Sequence, residues 1–140
     1  MGTTQLLLVH GAWHGSWAWD KVLSGLENSG YHVETVDLPS HGADTKNLGG
    51  LHDDADTVRG ALRSMAGPVV VVGHSYGGMA VTEGAAGASN VKRLVYLTAF
   101  LMDEGQSLLG AIGGQPQPWF QATPDRLAWF PYLSGKLSPI

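Results

Sequence analysis

The fold of this chain is decided by the stretch Val69-Val70-Val71-Val72-Gly73-His74-Ser75-Tyr76-Gly77. The four β-branched residues predict a buried strand, and the small residues that follow Gly77 are compatible with a helix. A strand that enters a G-x-S-x-G turn and continues into a helix places the serine on a sharp, strained turn with its hydroxyl exposed. The stretch therefore predicts that Ser75 is a nucleophile.

A second motif, His10-Gly11-Ala12-Trp13-His14-Gly15, directly follows the apolar run from Leu6 to Val9. It predicts a loop at the carboxyl end of a strand. Acyl transfer needs N–H donors for an oxyanion, and losing one donor raises the barrier by about 2.7 to 4 kcal/mol. We expect the backbone N–H groups of Ala12 and Tyr76 to be these donors.

Strand and helix patterns alternate along the rest of the chain, which predicts an α/β fold with a parallel sheet and helices on both faces. Three aspartates, Asp53, Asp54 and Asp56, crowd the start of the second helix. We expect them to be solvated capping charges that the helix dipole stabilises, and not the ligands of a metal ion. The predicted elements are strands at 5–10, 31–37, 69–72 and 93–100, and helices at 17–29, with Ser16 as N-cap, and at 51–65.

The composition excludes several classes of function. The net charge is −4, and no basic stripe suggests a nucleic-acid or membrane partner. The chain has no cysteine, so a disulfide framework and a thiolate metal site are both excluded. No metal or other cofactor is expected. The first lysine, Lys21, follows the first apolar run, so no signal peptide is evident and a cytoplasmic location is expected.

Four segments follow one another along the chain: Val9 to Gly15, Val36-Asp37-Leu38-Pro39 with Gly42, Val72 to Gly78, and Leu97 to Phe100 with Asp103. In this order they resemble the α/β-hydrolases, and among them the branch of plant methylesterases and hydroxynitrile lyases. The likeness covers about residues 5 to 120. The lyases of this branch carry a threonine where this chain has Gly11, so the resemblance favours the esterases.

The resemblance implies an α/β-hydrolase fold truncated after the sixth family strand and the start of the cap, with a core at 1–103 and the cap beginning at 104–140. The four strands present would lie in the family order 4-3-5-6, which leaves residues 94–97 on a bare apolar edge. The cap would roof the pocket, so Phe100 and Trp119 are candidate substrate contacts. Core packing explains these aromatic residues equally well.

The resemblance also places the catalytic acid and histidine beyond the seventh and eighth strands, in the chain order Ser, acid, His. No histidine follows His74, and the resemblance makes Asp37 and Asp103 structural rather than catalytic. His74 is expected to pack under the turn. The loop of residues 10–15 is called the oxyanion loop after its predicted role. His10 and His14 are expected to shape this loop or to line the pocket, and His14 is a candidate substrate contact.

The sequence thus leads to three hypotheses about function. The first is a serine hydrolase that cleaves small carboxylic esters through an acyl-enzyme at Ser75, with the acid and the histidine supplied by sequence absent from this chain. The second is a catalytically inert fragment or a small-molecule-binding relative. The third is a hydroxynitrile lyase, which Gly11 disfavours. The expected partners are a small ester, and either a second chain with the remaining strands or another copy paired through the exposed strand edge.

Overall fold

The computed structural model describes residues 4–42, 46–103 and 106–115, and the backbone of residues 121–123 and 126–129. The strands and helices follow the predicted alternation. In chain order they are β1 (Gln5–Val9), a 3-10 turn (Ser16–Trp19), α1 (Asp20–Asn28), β2 (His32–Val36), α2 (Leu51–Ser64), β3 (Val69–His74), α3 (Gly77–Gly84), β4 (Val91–Leu97), α4 (Leu108–Ala111), β5 (Gln121–Thr123) and β6 (Arg126–Trp129).

The main sheet is parallel, with the strand order β2-β1-β3-β4, which confirms the predicted order. The chain moves outward from β1 to β2 and then returns to the other side of β1 as β3. Because crossovers between parallel strands are right-handed, this reversal places α1 on one face of the sheet and α2 and α3 on the other. The loops that leave β1 and β3 diverge at this point, where open α/β sheets bind their ligands.

The hydrophobic core lies between the sheet and the α2/α3 layer. Alternate residues of β1 and β3 point into it, whereas Leu6 and Leu8, which are also buried, point to the α1 face. The core residues that fill this layer are Leu7, Val9, Val69 and Val71 from the sheet, Val58, Leu62 and Met65 from the α2 segment, and Ala80, Val81 and Ala85 from the α3 segment.

Strand β4 forms one edge of the sheet, and its apolar side chains are poorly covered. Leu94 is 37% exposed, Val95 41% and Leu97 46%. A near-continuous apolar strand is typical of the interior of a parallel sheet, where both faces are covered. The strand therefore has the composition of a central strand in an edge position, as the predicted strand order implies.

The start of the first helix differs from the prediction. Ser16 does not cap it: a 3-10 turn spans Ser16–Trp19, and α1 begins at Asp20. The Ser16 amide and hydroxyl instead donate hydrogen bonds of 2.7 and 3.0 Å to the two carboxylate oxygens of Asp37. The loop after β1 is thus joined to the end of β2, a tertiary contact that the local pattern of a helix start does not contain.

None of the helices among the described residues combines the length and apolar character needed to cross a membrane. The division into a core at 1–103 and a cap from 104 stays a prediction, because much of the segment 116–140 lies outside the described residues.

Candidate active site

Ser75 lies between the last residue of β3 and the first residue of α3, with a backbone φ of 52°. A non-glycine residue in the left-handed region is uncommon and costs of order 1–3 kcal/mol, and such residues cluster at functional sites. Its backbone is fixed from both sides, because its N–H donates to the Leu97 carbonyl over 3.3 Å and its carbonyl accepts from the Phe100 N–H over 3.1 Å. The strained turn predicted from the motif is therefore present and anchored to the end of β4.

The turn needs glycine at position 77 because of a close backbone approach. A Cβ atom on Gly77 would overlap the carbonyl oxygen of His10 and lie 2.8 Å from that of Val9. Only a residue without a side chain lets the start of α3 pack directly on the end of β1. This contact brings the two predicted motifs together.

The oxyanion loop crosses directly over the serine. A Cβ atom on Gly11 would lie 2.9 Å from the Cβ of Ser75 and 3.0 Å from the Nδ1 of His74. Trp13 in the same loop has a φ of 62°, so the loop contains a second non-glycine residue in the left-handed region. The two motifs, which are separated by more than fifty residues in sequence, are thus in direct contact.

The two expected oxyanion donors have no protein partner in the part of the chain that the structure describes. The backbone N–H groups of Ala12 and Tyr76 donate to none of the described residues, and neither does the Ser75 hydroxyl. Unpaired backbone N–H groups beside a strained serine are what an oxyanion site requires. His14 lies nearby, and its Nδ1 is 2.7 Å from the Ala12 carbonyl oxygen.

The environment of His10 is that of a neutral, buried ring. It is 1% exposed, its Nε2 accepts from the Leu38 N–H over 3.0 Å, and its Nδ1 is 2.8 Å from the Gly11 carbonyl oxygen, to which it donates. Burial lowers the pKa of His10, although its hydrogen bond to Gly11 opposes the change. His10 therefore shapes the oxyanion loop and has no free nitrogen for catalysis.

The ring of His74 packs against the loop after β1 and the 3-10 turn that follows this loop. This ring stands edge-on to Trp19 at 6.3 Å and to His14 at 6.2 Å between centroids. Burial, together with the neighbouring His14, lowers the pKa of His74. His14 in turn is tilted against Trp17 at 5.3 Å, and the indole N–H of Trp19 is buried without a partner among the described residues.

None of the six histidines, all of which are described, hydrogen-bonds to the Ser75 hydroxyl. Neither aspartate at the carboxyl ends of the strands supplies an acid to a histidine through a hydrogen bond: the carboxylate of Asp37 accepts from Ser16, and Asp103 is exposed, with its backbone N–H bonded to the Gln106 side chain. Serine, loop and turn are assembled here without a base.

Of the other two predicted substrate contacts, the structure describes only Phe100. Phe100 is half-buried and adjoins the site through its backbone bond to Ser75. Trp119 lies outside the described residues. Within the described ranges no three His, Cys, Asp or Glu residues are grouped so that they could hold a metal ion.

The prediction for Asp54 was wrong. This carboxyl group is fully buried rather than solvated, and it accepts hydrogen bonds from the Ser40 amide at 2.8 Å, from the Ser40 hydroxyl, and from the Tyr76 hydroxyl at 2.6 Å. Its neighbour Asp53 accepts the Gly50 N–H at the helix start, as expected of a capping residue, and Asp56 pairs with Arg59. The sequence did contain a signal for another role, because three carboxylates are more than the start of one helix requires.

Comparison with known proteins agrees with this architecture. The chain is 35% identical over 115 residues to a carbendazim hydrolyzing esterase of Nocardioides sp. (strain SG-4G), a match that covers 76% of this chain and 46% of that protein. It is 27% identical over 143 residues to putative methylesterase 15, chloroplastic, of Arabidopsis thaliana, covering 98% of this chain and 32% of that protein. The chain thus spans less than half the length of these relatives.

A solved structure and a family description give the same result. The crystal structure of a methylesterase from Arabidopsis superimposes with a TM-score of 0.65 at 28% identity, covering 74% of this chain and 46% of that one. The description of the alpha/beta hydrolase family matches residues 6–139. The strained serine turn, the loop that crosses it and these matches lead to one conclusion: the chain belongs to the alpha/beta hydrolase family.

Proposed function

We propose that this chain provides the nucleophile and the oxyanion site of a serine hydrolase that acts on small carboxylic esters. One observation carries the proposal: on a strained turn, the Ser75 hydroxyl and two neighbouring backbone N–H groups all lack a hydrogen-bond partner among the described residues. Names of relatives, which include a carbendazim hydrolyzing esterase and methylesterases, support the choice of an ester as substrate.

The reaction proceeds through an acyl-enzyme. The Oγ of Ser75 forms a bond to the ester carbonyl carbon, its proton passes to a histidine base, and the carbonyl oxygen becomes an oxyanion that accepts from Ala12 and Tyr76. The C–O bond to the alcohol then breaks, and the alcohol takes the proton from the histidine. Water attacks the acyl group by the same route, which releases the acid and restores Ser75.

The base and its acid come from sequence outside this chain. The absence of a hydrogen bond between any of the six histidines and Ser75 supports this part of the proposal, as does the length of the relatives. The exposed β4 edge offers the place where the remaining strands of a second polypeptide join. When those strands are lacking, another copy of the chain pairs with the same edge. Native and denaturing mass spectrometry of the purified protein distinguish these two arrangements.

The substrate pocket is formed beside the turn. In this proposal His14 and Phe100 contact the acyl or aromatic part of the ester, and Trp119 contacts it from the cap. No metal or other cofactor is needed for the reaction, and the protein acts in the cytoplasm. Neither nucleic acid nor a membrane takes part.

The test is covalent labelling of Ser75. The chain, combined with the segment that carries the base, is treated with a fluorophosphonate and weighed intact. We expect one adduct and p-nitrophenyl acetate hydrolysis in the wild type and in the control Ser64→Ala, whose hydroxyl donates to the Ala61 carbonyl within its own helix. We expect neither in Ser75→Ala, and labelling that persisted in this variant would refute the assignment.

A second candidate function is ligand binding without catalysis. It is favoured by the same lack of a base near Ser75, because loss of the catalytic histidine can lower turnover by about a millionfold. A ligand that binds only the folded state raises its unfolding temperature. Stabilisation of the combined protein by esters, with no product formed, would select this function.

Cyanohydrin cleavage is the weakest alternative. The lyases that the chain resembles carry threonine at position 11, whereas here a Cβ atom at that position would lie within 3.0 Å of both Ser75 and His74. The close approach of the loop to the serine turn supports the esterase proposal over the lyase.

A further inference from the structure

The carboxyl group of Asp54 is completely buried, yet it forms no ion pair with any described lysine or arginine. Burying a carboxyl group is unfavourable unless its oxygens accept hydrogen bonds. Here they do: Oδ1 accepts from the Ser40 amide at 2.8 Å, and Oδ2 accepts from the hydroxyls of Ser40 and of Tyr76. The helix does not need this group, since Asp53 already accepts the N–H at its start.

Asp54 is connected to the serine turn through Tyr76. The Tyr76 hydroxyl donates to Oδ2 of Asp54 over 2.6 Å, and burial, reinforced by this bond, holds the pKa of the phenol well above its usual value. The same residue directly follows Ser75 and is the N-cap of α3, and its carbonyl accepts from the Met79 N–H at 2.9 Å. Tyr76 is thus held at both ends.

The support under Asp54 is rigid. Helices α2 and α3 pack so closely that a Cβ atom on Gly84 would lie 2.7 Å from the Ala55 carbonyl oxygen and from the Cβ of Val58. Interiors packed at this density resist displacement, so a group fixed on α2 fixes its partner on α3. Asp54 is therefore a firm anchor for the side chain of Tyr76.

The same carboxylate also holds the loop that follows β2. Ser40 donates twice to Asp54, and its hydroxyl is 2.6 Å from the Nδ1 of His41. The His41 ring lies 5.2 Å from the Tyr76 ring and 5.5 Å from the His10 ring. One buried carboxyl group thereby joins the β2 loop, α2 and the residue that follows the nucleophile.

We propose that Asp54 is a positioning residue, which holds the phenol of Tyr76 and thereby orients the Tyr76 backbone N–H toward the oxyanion. The assignment rests on the proposed ester hydrolysis at Ser75. A misplacement of about 1 Å at a distance from the chemistry can lower turnover by about 100-fold. Because the oxyanion forms only as the transition state is approached, loss of this anchor acts on kcat and leaves KM largely unchanged.

The test compares Asp54→Asn with the matched control Asp53→Asn in the enzyme combined with its base-bearing segment. The asparagine has nearly the same shape, but its single acceptor oxygen cannot accept the Ser40 amide on one side and the two hydroxyls on the other. We expect kcat for p-nitrophenyl acetate to fall by about 10- to 100-fold in Asp54→Asn, with KM within about twofold, and to stay unchanged in Asp53→Asn. A kcat equal to that of the wild type in a folded Asp54→Asn variant would overturn the proposal.

Tyr76→Phe provides the second variant, since it removes only the hydroxyl and keeps the ring. If Asp54 acts through this hydroxyl, Tyr76→Phe lowers kcat without changing KM. The double variant then loses less kcat than the product of the two single fold-losses. Independent, multiplicative effects would refute the connection. If Asp54→Asn fails to fold, Tyr76→Phe decides the matter by itself, because a kcat equal to that of the wild type in this variant would overturn the proposal.

A readout without turnover separates this proposal from the proposed function. The amide resonance of Tyr76 is compared in the wild type, Asp54→Asn and Asp53→Asn. We expect a changed chemical shift at residue 76 in Asp54→Asn only, and an unchanged amide resonance would overturn the positioning role. If the wild type neither hydrolyses esters nor reacts with a fluorophosphonate, the ester hydrolysis is wrong, whereas the amide comparison still reports on Asp54.

Discussion

A Cβ atom on Gly11 would lie 2.9 Å from the Cβ of Ser75, so the oxyanion loop and the nucleophile touch with no side chain between them. Carbon atoms do not approach this closely without displacement of one segment. The neighbouring His74 carbonyl oxygen, at 3.1 Å, belongs to the backbone and cannot rotate away. The position of the Ala12 N–H relative to Ser75 therefore depends on the missing side chain at position 11.

We accordingly expect Gly11→Ala to lower kcat for p-nitrophenyl acetate in the complete enzyme by about 10- to 100-fold, because the added methyl group moves the loop from the serine. The folded structure should persist, and steady-state kinetics together with circular dichroism check both points. Unchanged turnover would show that the loop does not supply a donor whose position matters.

At Gly60, unlike at Gly11, replacement by alanine should be favourable. It lies inside α2, and a Cβ atom there would meet nothing within 4 Å. Alanine restricts the unfolded chain and suits a helix, so Gly60→Ala should raise the free energy of unfolding by about 0.5–1 kcal/mol. Urea denaturation measures the change, and a destabilised Gly60→Ala variant would contradict the open space at this position.

The buried state of His10 predicts loss of stability in acid. Burial lowers the pKa of His10, and the carboxylates of Asp37 and Asp54 only partly offset this effect. Below about pH 6.5 the unfolded chain therefore binds more protons than the folded chain, and the free energy of unfolding decreases as the pH falls toward the folded pKa. For one such histidine the slope reaches about 1.4 kcal/mol per pH unit.

His10→Gln should reduce this slope between pH 6.5 and 5, even though the variant is less stable throughout, and denaturation at several pH values measures it. Burial also lowers the pKa of His41 and His74, so a smaller slope remains. The control is His52→Gln, which should steepen the slope. The exposed side chain of the native His52 bonds to Glu83, and this bond raises the pKa of His52. The native His52 therefore stabilises the fold at low pH and loses this contribution as the pH rises through its raised pKa. An equal slope in His10→Gln and the wild type would contradict a buried neutral ring.

The edge strand predicts self-association of the isolated chain. Val95 on β4 and Val22 on α1 are similarly exposed, at 41% and 46%, but only Val95 belongs to the unpaired edge. A charged residue on an edge strand opposes pairing, so Val95→Lys should shift sedimentation-velocity profiles toward the monomer while Val22→Lys leaves them unchanged. Equal effects of both variants would indicate non-specific association instead of pairing at the edge.

The sequence contains most of what was needed to predict the sheet and the serine turn. Local signals sufficed there: a valine run fixes β3, and the glycines around Ser75 fix the turn that follows it. The strand order needed the resemblance as well, because no local sequence pattern indicates that β3 pairs with β1 on the side opposite β2. The two errors, Ser16 and Asp54, have one cause, since both residues bond to partners distant in sequence, at Asp37 and at Ser40 and Tyr76.

The order β2-β1-β3-β4 also has a consequence for biosynthesis. Chains emerge from the ribosome with the N-terminal part first, and their units fold as they emerge. Everything that builds the nucleophile turn and the loop above it lies before residue 101, including the Phe100 amide that bonds to Ser75. In the growing polypeptide the turn that carries Ser75 and the loop above it therefore form from residues up to Phe100, and neither needs any residue beyond it.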